Sequence, residues 1–302
     1  MKFLKELFTR KSRVEKVDIT RRFVLIGRVG QGSMSQVWRA RDTITGRTVA
    51  LKVLDRDKLR RLDSRFLGLD KPSEGEVAVD LKHPNIVNTY EHGITTDIEQ
   101  FLVMEFVEGV GLSYLVDVQN EVMQKNRLRL MIELGRALAY FHQHNWIHRD
   151  ICPRNVIITR ENTVKLIDFG LVVPNTPDFQ QPGNRTGTAH YMAPELIKRQ
   201  TTDQRIDVFA YGLTCYEMFT RRLPWDYTGE SIDAVVQTIN VPPKHIRQFV
   251  PDIDEQLSDA IMRCVDPDRD LRWQKMTEML TELEAARARL EPDSKPSPSP
   301  SE

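Results

Sequence analysis

The sequence predicts an α+β chain whose opening part is rich in strands and whose remainder is mostly helical. Three observations carry this. Residues 23–53 read as three strands, 22–29, 37–40 and 48–54, parted by a glycine-bearing turn at 30–35 and a second turn at Thr45-Gly46. Stretches with a helical apolar period follow at 110–126, 128–144, 206–219 and 274–290. The polar residues suited to chemistry gather in the joins between elements, above all at 148–155 and 168–170.

Composition limits the function classes. With 302 residues, 40% hydrophobic and 28% charged, the chain can bury a sizeable core and has the length of two domains. Basic and acidic residues both number 43, so no net charge draws it to nucleic acid. The three cysteines, Cys152, Cys215 and Cys264, are far apart and form no metal-type pair, which points to a reducing compartment. No apolar run approaches the roughly 18–20 residues of a membrane span, and Lys5 and Glu6 interrupt the apolar start expected of a signal peptide. The expected location is cytoplasmic.

Taken in order, residues 1–20 form a basic leader with Phe3, Leu4, Leu7 and Phe8 on one helical face. It suits either packing on the following domain or peripheral contact with an anionic membrane. In the turn Gly30-Gln31-Gly32-Ser33-Met34-Ser35, glycines let backbone N–H groups approach a phosphate, although a plain hairpin would use them too. A strand rather than a helix follows, which excludes a dinucleotide-binding fingerprint. Lys52 is a single cation in the apolar frame Val49-Ala50-Leu51-Lys52-Val53-Leu54. A short helix is expected to start near Pro72, weakened by Gly75, with Glu74 and Glu76 as competing inward carboxylates. The apolar run 100–107 reads as a strand entering a polar linker, with Met104, Glu105 and Val107 at its end. The helix over 128–144 turns Leu130, Leu134, Ala137, Leu138 and Phe141 inward.

The loop His148-Arg149-Asp150-Ile151-Cys152-Pro153-Arg154-Asn155 has the groups needed to handle a phosphoryl transfer. Asp150 can orient a hydroxyl and accept its proton, Asn155 can hold a metal, and arginine can pair with an anion. Asp168, in Asp168-Phe169-Gly170 after the next hairpin, adds a second oxygen ligand of the kind Mg²⁺ prefers. Residues 168–195 have loop composition and close on Gly187-Thr188-Ala189-His190-Tyr191-Met192-Ala193-Pro194-Glu195. Asp207 is an acid inside an apolar helix, and so needs partners if buried. Residues 291–302 alternate proline and serine and are expected to be disordered.

Together these motifs resemble the catalytic domain of protein kinases, nearest to bacterial eukaryotic-like Ser/Thr kinases, over residues 23–286. The resemblance implies the two-lobed kinase fold, with a β-rich N-lobe at 21–107 and a helical C-lobe at 108–290, and Mg-ATP (Mn²⁺ as an alternative) in the cleft. It implies that Val29, Gly30, Gln31, Gly32 and Ser33 cover the phosphates, with Ser35 standing where the family has a third glycine. Lys52, held by Glu74, grips the α- and β-phosphates. Val37 and Ala50 cover one face of adenine and Ile157 the other, while Met104, Glu105 and Val107 meet its edge. Asp150 orients the acceptor hydroxyl, Thr188 places a hydroxyl on that aspartate, and Asn155 and Asp168 hold the metal. Asp207 anchors the catalytic loop, and Arg272 pairs with Glu195. Arg149 is suited to bind a phosphate on the 168–195 loop, where Thr176 and Thr186 are candidate acceptors. The expected partners are proteins with Ser/Thr acceptors, and the expected organisation is a catalytic domain with short ends.

One position departs from the family. Ser/Thr kinases carry lysine two residues after the catalytic aspartate, and here Cys152 stands there. Arg154, always charged, can reach the same oxygens, as in receptor tyrosine kinases that also lack this lysine. The departure leaves a second class open, a catalytically impaired scaffold. Retention of Lys52, Asp150, Asn155 and Asp168 weighs against it. A small-molecule phosphotransferase conflicts with the 187–195 segment, which shapes a protein-substrate platform.

Overall fold

The computed structural model describes residues 16–31, 35–183, 185–226, 235–236 and 241–292. The amphipathic face of the leader, Gly32, Ser33 and most of the Pro/Ser tail lie outside the described residues. By contacts the chain divides into two compact units. One runs through Leu67 and again over Asn88–Phe106; the other takes Gly68–Val87 and everything from Val107 onward.

The first unit contains β1 (Lys16–Val17), α1 (Ile19–Arg22), β2 (Phe23–Gln31), β3 (Ser35–Asp42), β4 (Thr48–Leu54), α2 (Arg56–Asp63), β5 (Thr89–Thr95) and β6 (Gln100–Glu105). The six strands form one sheet in the order β1-β5-β6-β4-β3-β2, antiparallel except where β1 meets β5. Because side chains alternate along a strand, β4 serves both faces of this sheet. Val49 and Leu51 pack with Phe23, Ala40, Phe101 and Val103 into the core of the unit. Ala50 and Lys52 therefore belong to the opposite face. Register puts Val37 and Leu102 beside Lys52, and Met104 beside Ala50. Four of the expected nucleotide-contacting residues, Val37, Ala50, Lys52 and Met104, thus share one face of one sheet.

The second unit begins with α3 (Glu74–Asp80), a seven-residue helix. Ser73 caps it by accepting from the Glu76 amide at 3.3 Å, while the Glu76 carboxylate accepts from the Ser73 amide at 2.8 Å. After it come β7 (Gly109–Gly111), α4 (Leu112–Val118), α5 (Glu121–Gln143), β8 (Trp146–Ile147), β9 (Val156–Thr159), β10 (Val164–Leu166) and β11 (Val173–Pro174). The chain then continues through α6 (Pro194–Ile197), α7 (Arg205–Thr220), α8 (Glu255–Cys264) and α9 (Met276–Leu290). Strands β10, β9 and β7 form one small sheet, and β11 and β8 another. Helix α7 is buried along nearly its whole length, so it is the post on which the surrounding loops are mounted. Among the described residues no helix is long and apolar enough to cross a membrane.

Two expectations are revised. The helix expected over 110–126 is three pieces: Val110 lies in β7, α4 ends at Val118, and α5 starts at Glu121. The break is local chemistry. Gln119 adopts the left-handed conformation (φ 48°), and Asn120 caps α5 by accepting from the Met123 amide at 3.1 Å. Residues 68–87, expected with the β-rich domain, group with the helical unit. The Val87 amide donates to the Leu166 carbonyl (2.9 Å), the Leu166 amide to the Asn85 carbonyl (2.8 Å), and the Asn85 side-chain amide to the Val164 carbonyl (3.1 Å).

Candidate active site

The loop between β8 and β9 is fixed from below by one carboxylate. Asp207 of α7 is 1% exposed. Its Oδ2 accepts the His148 amide at 2.8 Å and lies 3.0 Å from His142 Nε2, while its Oδ1 accepts the Arg149 amide at 2.8 Å. Arg149 has φ 70°, a conformation that costs a non-glycine residue about 1–3 kcal/mol and persists only where its surroundings impose it. The two amide bonds to Asp207 impose it here. His148, fully buried, packs edge-on against Phe141 and Phe169 with ring centroids 5.2 and 6.0 Å away. It is a core histidine that ties the loop to α5 and to the segment after β10.

This frame presents Asp150. Asp150 Oδ1 accepts from the Thr188 amide at 2.7 Å and from the Thr188 hydroxyl at 2.8 Å. Asn155 Nδ2 donates to Asp150 Oδ2 and to the Asp150 carbonyl, both at 2.8 Å. Thr188 can approach because of its neighbour: Gly187 has φ +125°, and a Cβ there would lie 2.7 Å from the Arg149 carbonyl oxygen. Loop and closing segment are therefore stitched together at Asp150.

The second carboxylate is tied to the same loop. The Ile167 amide donates to the Asn155 carbonyl at 2.9 Å, which sets Asp168 next to a residue held by Asn155. Asp168 also has positive φ, 70°, and its Oδ1 accepts from the Gly170 amide at 3.3 Å. With both Asn155 side-chain N–H contacts directed to Asp150, its Oδ1 is the atom of the amide left to accept. Among the described residues no group of three His, Cys, Asp or Glu side chains gathers as a protein-only metal cage. One amide oxygen and one carboxylate instead suit a small hard cation that keeps waters and takes phosphate oxygens from its substrate.

Glu74 and Glu76 separate cleanly. Glu74 is 5% exposed, with its Oε1 accepting from the Phe169 amide at 3.2 Å. Glu76 is exposed and committed to the capping box. In the first unit Lys52 is 4% exposed, and Glu105 is held by Asn88 at both its amide (2.9 Å) and its carboxylate (2.8 Å). Val29 is exposed, and Gly30 pairs with Val37. In the second unit Ile157 lies in β9 opposite Gly111 and Lys165. Val107 is the first residue of that unit after the crossing.

The position that departs from the family pattern is also defined. Cys152 precedes a 3₁₀ turn, Pro153–Asn155, which turns its side chain inward and leaves Arg154 exposed. Burial, and then Asp150, push the Cys152 thiol up to about 11, so it is neutral at physiological pH. Its Sγ lies 3.8 Å from Thr188 Oγ1, and Arg154 Nη2 donates to that same hydroxyl at 3.3 Å. Thr186, one of the candidate phosphoacceptors, is 5% exposed, whereas Thr176 is exposed.

Two partners, His142 and Glu217, escaped the sequence reading. His142 joins Asp207 as described. The Tyr191 hydroxyl donates to Glu217 of α7, whose carboxyl is raised by burial. Arg272, with no exposed surface, grips Glu195 by two bonds of 2.8 and 2.9 Å, as the motifs suggested, and also donates to the carbonyls of Asp266, Arg205 and Pro267. No motif marks His142 or Glu217; only a histidine or an acid on an otherwise apolar helix hints at them.

Comparison with known proteins agrees with this geometry. The profile of the protein kinase domain matches residues 23–283. A probable serine/threonine-protein kinase of Clostridium perfringens is 32% identical over 266 residues, covering 87% of this chain and 38% of the relative. The serine/threonine-protein kinase PknB of Mycolicibacterium smegmatis is 32% identical, covering 84% and 41% respectively. PrkC of Bacillus subtilis, also a serine/threonine-protein kinase, is 28% identical, covering 89% and 41%. The chain thus spans 38–41% of the length of these relatives. With the profile covering most of its length, the chain belongs to the protein kinase domain family.

Proposed function

We propose that this chain transfers the γ-phosphoryl group of ATP to serine and threonine hydroxyls of proteins, its own included. The observation that carries the reading is Asp150: an aspartate on a loop clamped by Asp207, with one oxygen on Asn155 and the other on Thr188. A carboxylate so held is positioned to orient a hydroxyl and take its proton. Asn155 Oδ1 and the Asp168 carboxylate would hold Mg²⁺, which neutralises phosphate charge when bound. Lys52, on the sheet face it shares with Val37, Ala50 and Met104, would grip the α- and β-phosphates. Thr188 and the preceding glycine favour Ser/Thr acceptors. The relatives named as serine/threonine kinases support the same class.

The scaffold alternative is not favoured, because Lys52, Asp150, Asn155 and Asp168 are all present. The three cysteines are buried and unpaired, in keeping with the reducing, cytoplasmic compartment we propose. The test is incubation of the purified chain with γ-labelled ATP, Mg²⁺ and a mixed Ser/Thr/Tyr peptide set. Label on phosphoserine and phosphothreonine supports the reading; label only on phosphotyrosine, or on no residue, overturns it.

A further inference from the structure

We propose that the free edge of the six-stranded sheet, strand β2 with the β3–β4 turn, is a docking face for an anionic membrane surface. Arg41 and Arg47 meet the lipid headgroups, and Val24 and Ile44 enter the boundary between headgroups and acyl chains. The inference is independent of the phosphotransferase reading. It starts from charge. The chain as a whole is neutral, but of its 43 basic and 43 acidic residues the first unit, Met1–Leu67 with Asn88–Phe106, holds 18 and 11. That unit is therefore positive and the second negative by the same amount, an asymmetry that the net charge conceals.

The acids around this edge are already committed. Arg22 takes Asp42 at 3.1 Å and Glu91 at 2.7 Å, and Arg21 takes Asp18 at 3.1 Å. Among the described residues no carboxylate pairs with Arg28, Arg41 or Arg47, and all three are exposed. Arg47 lies over the Tyr90 ring, 5.7 Å from its centroid, and Arg28 lies at the same distance over Trp38. A guanidinium resting on a ring keeps its fork of donors free for a phosphate.

Apolar side chains stand among these cations. Strand β2 ends the sheet order, yet it exposes Val24, Leu25 and Ile26 in a row, where edge strands usually carry charge. A bulge between Leu25 and Gly27 leaves Ile26 without a partner on β3. Ile44, in the β3–β4 turn, is 74% exposed. Register places Val24 beside Arg41. Thr43 donates its amide (2.9 Å) and its hydroxyl (2.8 Å) to the Arg22 carbonyl, which lays the turn carrying Ile44 against the start of β2. Cations and aliphatic side chains therefore mingle along one projecting rim. A nucleic acid would use the arginines and leave the aliphatic groups in water. A turn and a strand edge offer no groove to seat a peptide. A lipid surface satisfies both kinds of side chain at once, phosphate for the guanidinium groups and the acyl boundary for the rest.

The experiment sediments the full chain with vesicles of phosphatidylcholine containing one-third phosphatidylglycerol, and with pure phosphatidylcholine, beside a gel shift on a mixed-sequence DNA duplex. Wild type should bind the anionic vesicles, bind less as salt is raised, and ignore the neutral ones. Arg41→Gln/Arg47→Gln should weaken partitioning about 25-fold, taking about fivefold for each arginine near an anionic surface. Ile44→Ser should weaken it about tenfold. These side chains are exposed and lie outside the nucleotide site, so melting temperature and transfer to a soluble peptide should match the wild type in each variant. No sedimentation of wild type with anionic vesicles overturns the proposal, as does wild-type binding in both edge variants. The full-chain leader variant Leu4→Ser/Phe8→Ser separates the two membrane-seeking features. Binding that falls in it and in neither edge variant assigns the contact to the leader and overturns the role of the edge. A DNA shift lost in Arg41→Gln/Arg47→Gln, without vesicle binding, overturns the lipid assignment and makes the rim a nucleic-acid face.

Discussion

Replacing Asp207 by asparagine removes one charge and otherwise keeps the shape of the side chain, so its effect can be worked from contacts. The His148 and Arg149 amides each donate at 2.8 Å, to different oxygens of this buried carboxylate. An amide side chain has one oxygen and one nitrogen, so whichever way it sits, one of the two N–H groups faces another donor. A buried donor left unsatisfied costs about 1–3 kcal/mol, and the surviving bond loses the charge that gave it about 1.5–3 kcal/mol rather than about 1. The expected destabilisation is about 2–5 kcal/mol. The loop suffers beyond this, because Arg149 is held at φ 70° by those bonds and will relax toward a common conformation once one is lost. Asp150, the next residue, moves with it, and a displacement near 1 Å is enough to cost about 10²-fold in rate. Thermal unfolding and kcat read the two effects. Amide hydrogen exchange at His148 and Arg149 reads the cause, with both amides slow in the wild type and one of them fast in the variant. Unchanged protection at both amides together with wild-type turnover would refute the anchoring role.

Three further outcomes follow from single contacts. Lys52→Met, on the buried face of β4, should abolish phosphoryl transfer while circular dichroism and the melting temperature stay near wild type; near-normal turnover would remove Lys52 from the site. Glu195→Gln leaves Arg272, which has no exposed surface, without its counter-charge, and should destabilise the chain by about 3–5 kcal/mol; a change below 1 kcal/mol in denaturant titration would contradict that. Burial, with Arg136 and Lys165 nearby, pulls His83 down to about 4 from its ordinary 6.5. As pH falls below 6.5 the unfolded state takes up this proton first, so the contribution present above 6.5 is lost progressively toward pH 4. His83→Asn, whose side-chain oxygen can still accept the Asn85 amide that now donates to Nδ1 at 3.1 Å, should flatten the fall in melting temperature between pH 7 and 5. An unchanged slope would exclude His83 as its source.

What the sequence made legible was local. The 148–155 loop, Asp168-Phe169-Gly170 and the closing 187–195 segment each carry their chemistry within a few residues, and the inward positions Leu130, Leu134, Ala137, Leu138 and Phe141 are all fully or nearly fully buried as their period required. What it could not resolve was set by geometry or by distance along the chain. Glu74 and Glu76 are both helical acids; the capping box with Ser73 takes one and burial against the Phe169 amide the other. The break at Gln119 and Asn120 lies in a polar stretch where several residues could cap equally well, and a left-handed glutamine has no strong sequence signal. The contacts of Thr188 with Asp150 and Arg154, and of His142 with Asp207, join residues dozens of positions apart. Grouping of residues 68–87 with the helical unit rests likewise on bonds to the β9–β10 hairpin and the Asp168 segment, which no local pattern announces.

That Asp150 prepares an acceptor hydroxyl for a phosphoryl group from ATP is what we propose. It is tested most directly by kcat for transfer from γ-labelled MgATP to a Ser/Thr peptide, wild type against Asp150→Asn, with ATP binding measured on the same samples. Asparagine can still meet Thr188 or Asn155 but cannot take a proton. The expected result is a fall of at least about 10²-fold in kcat, with ATP affinity and melting temperature little changed. Wild-type kcat in Asp150→Asn, or no transfer by the wild type at saturating MgATP, would contradict it.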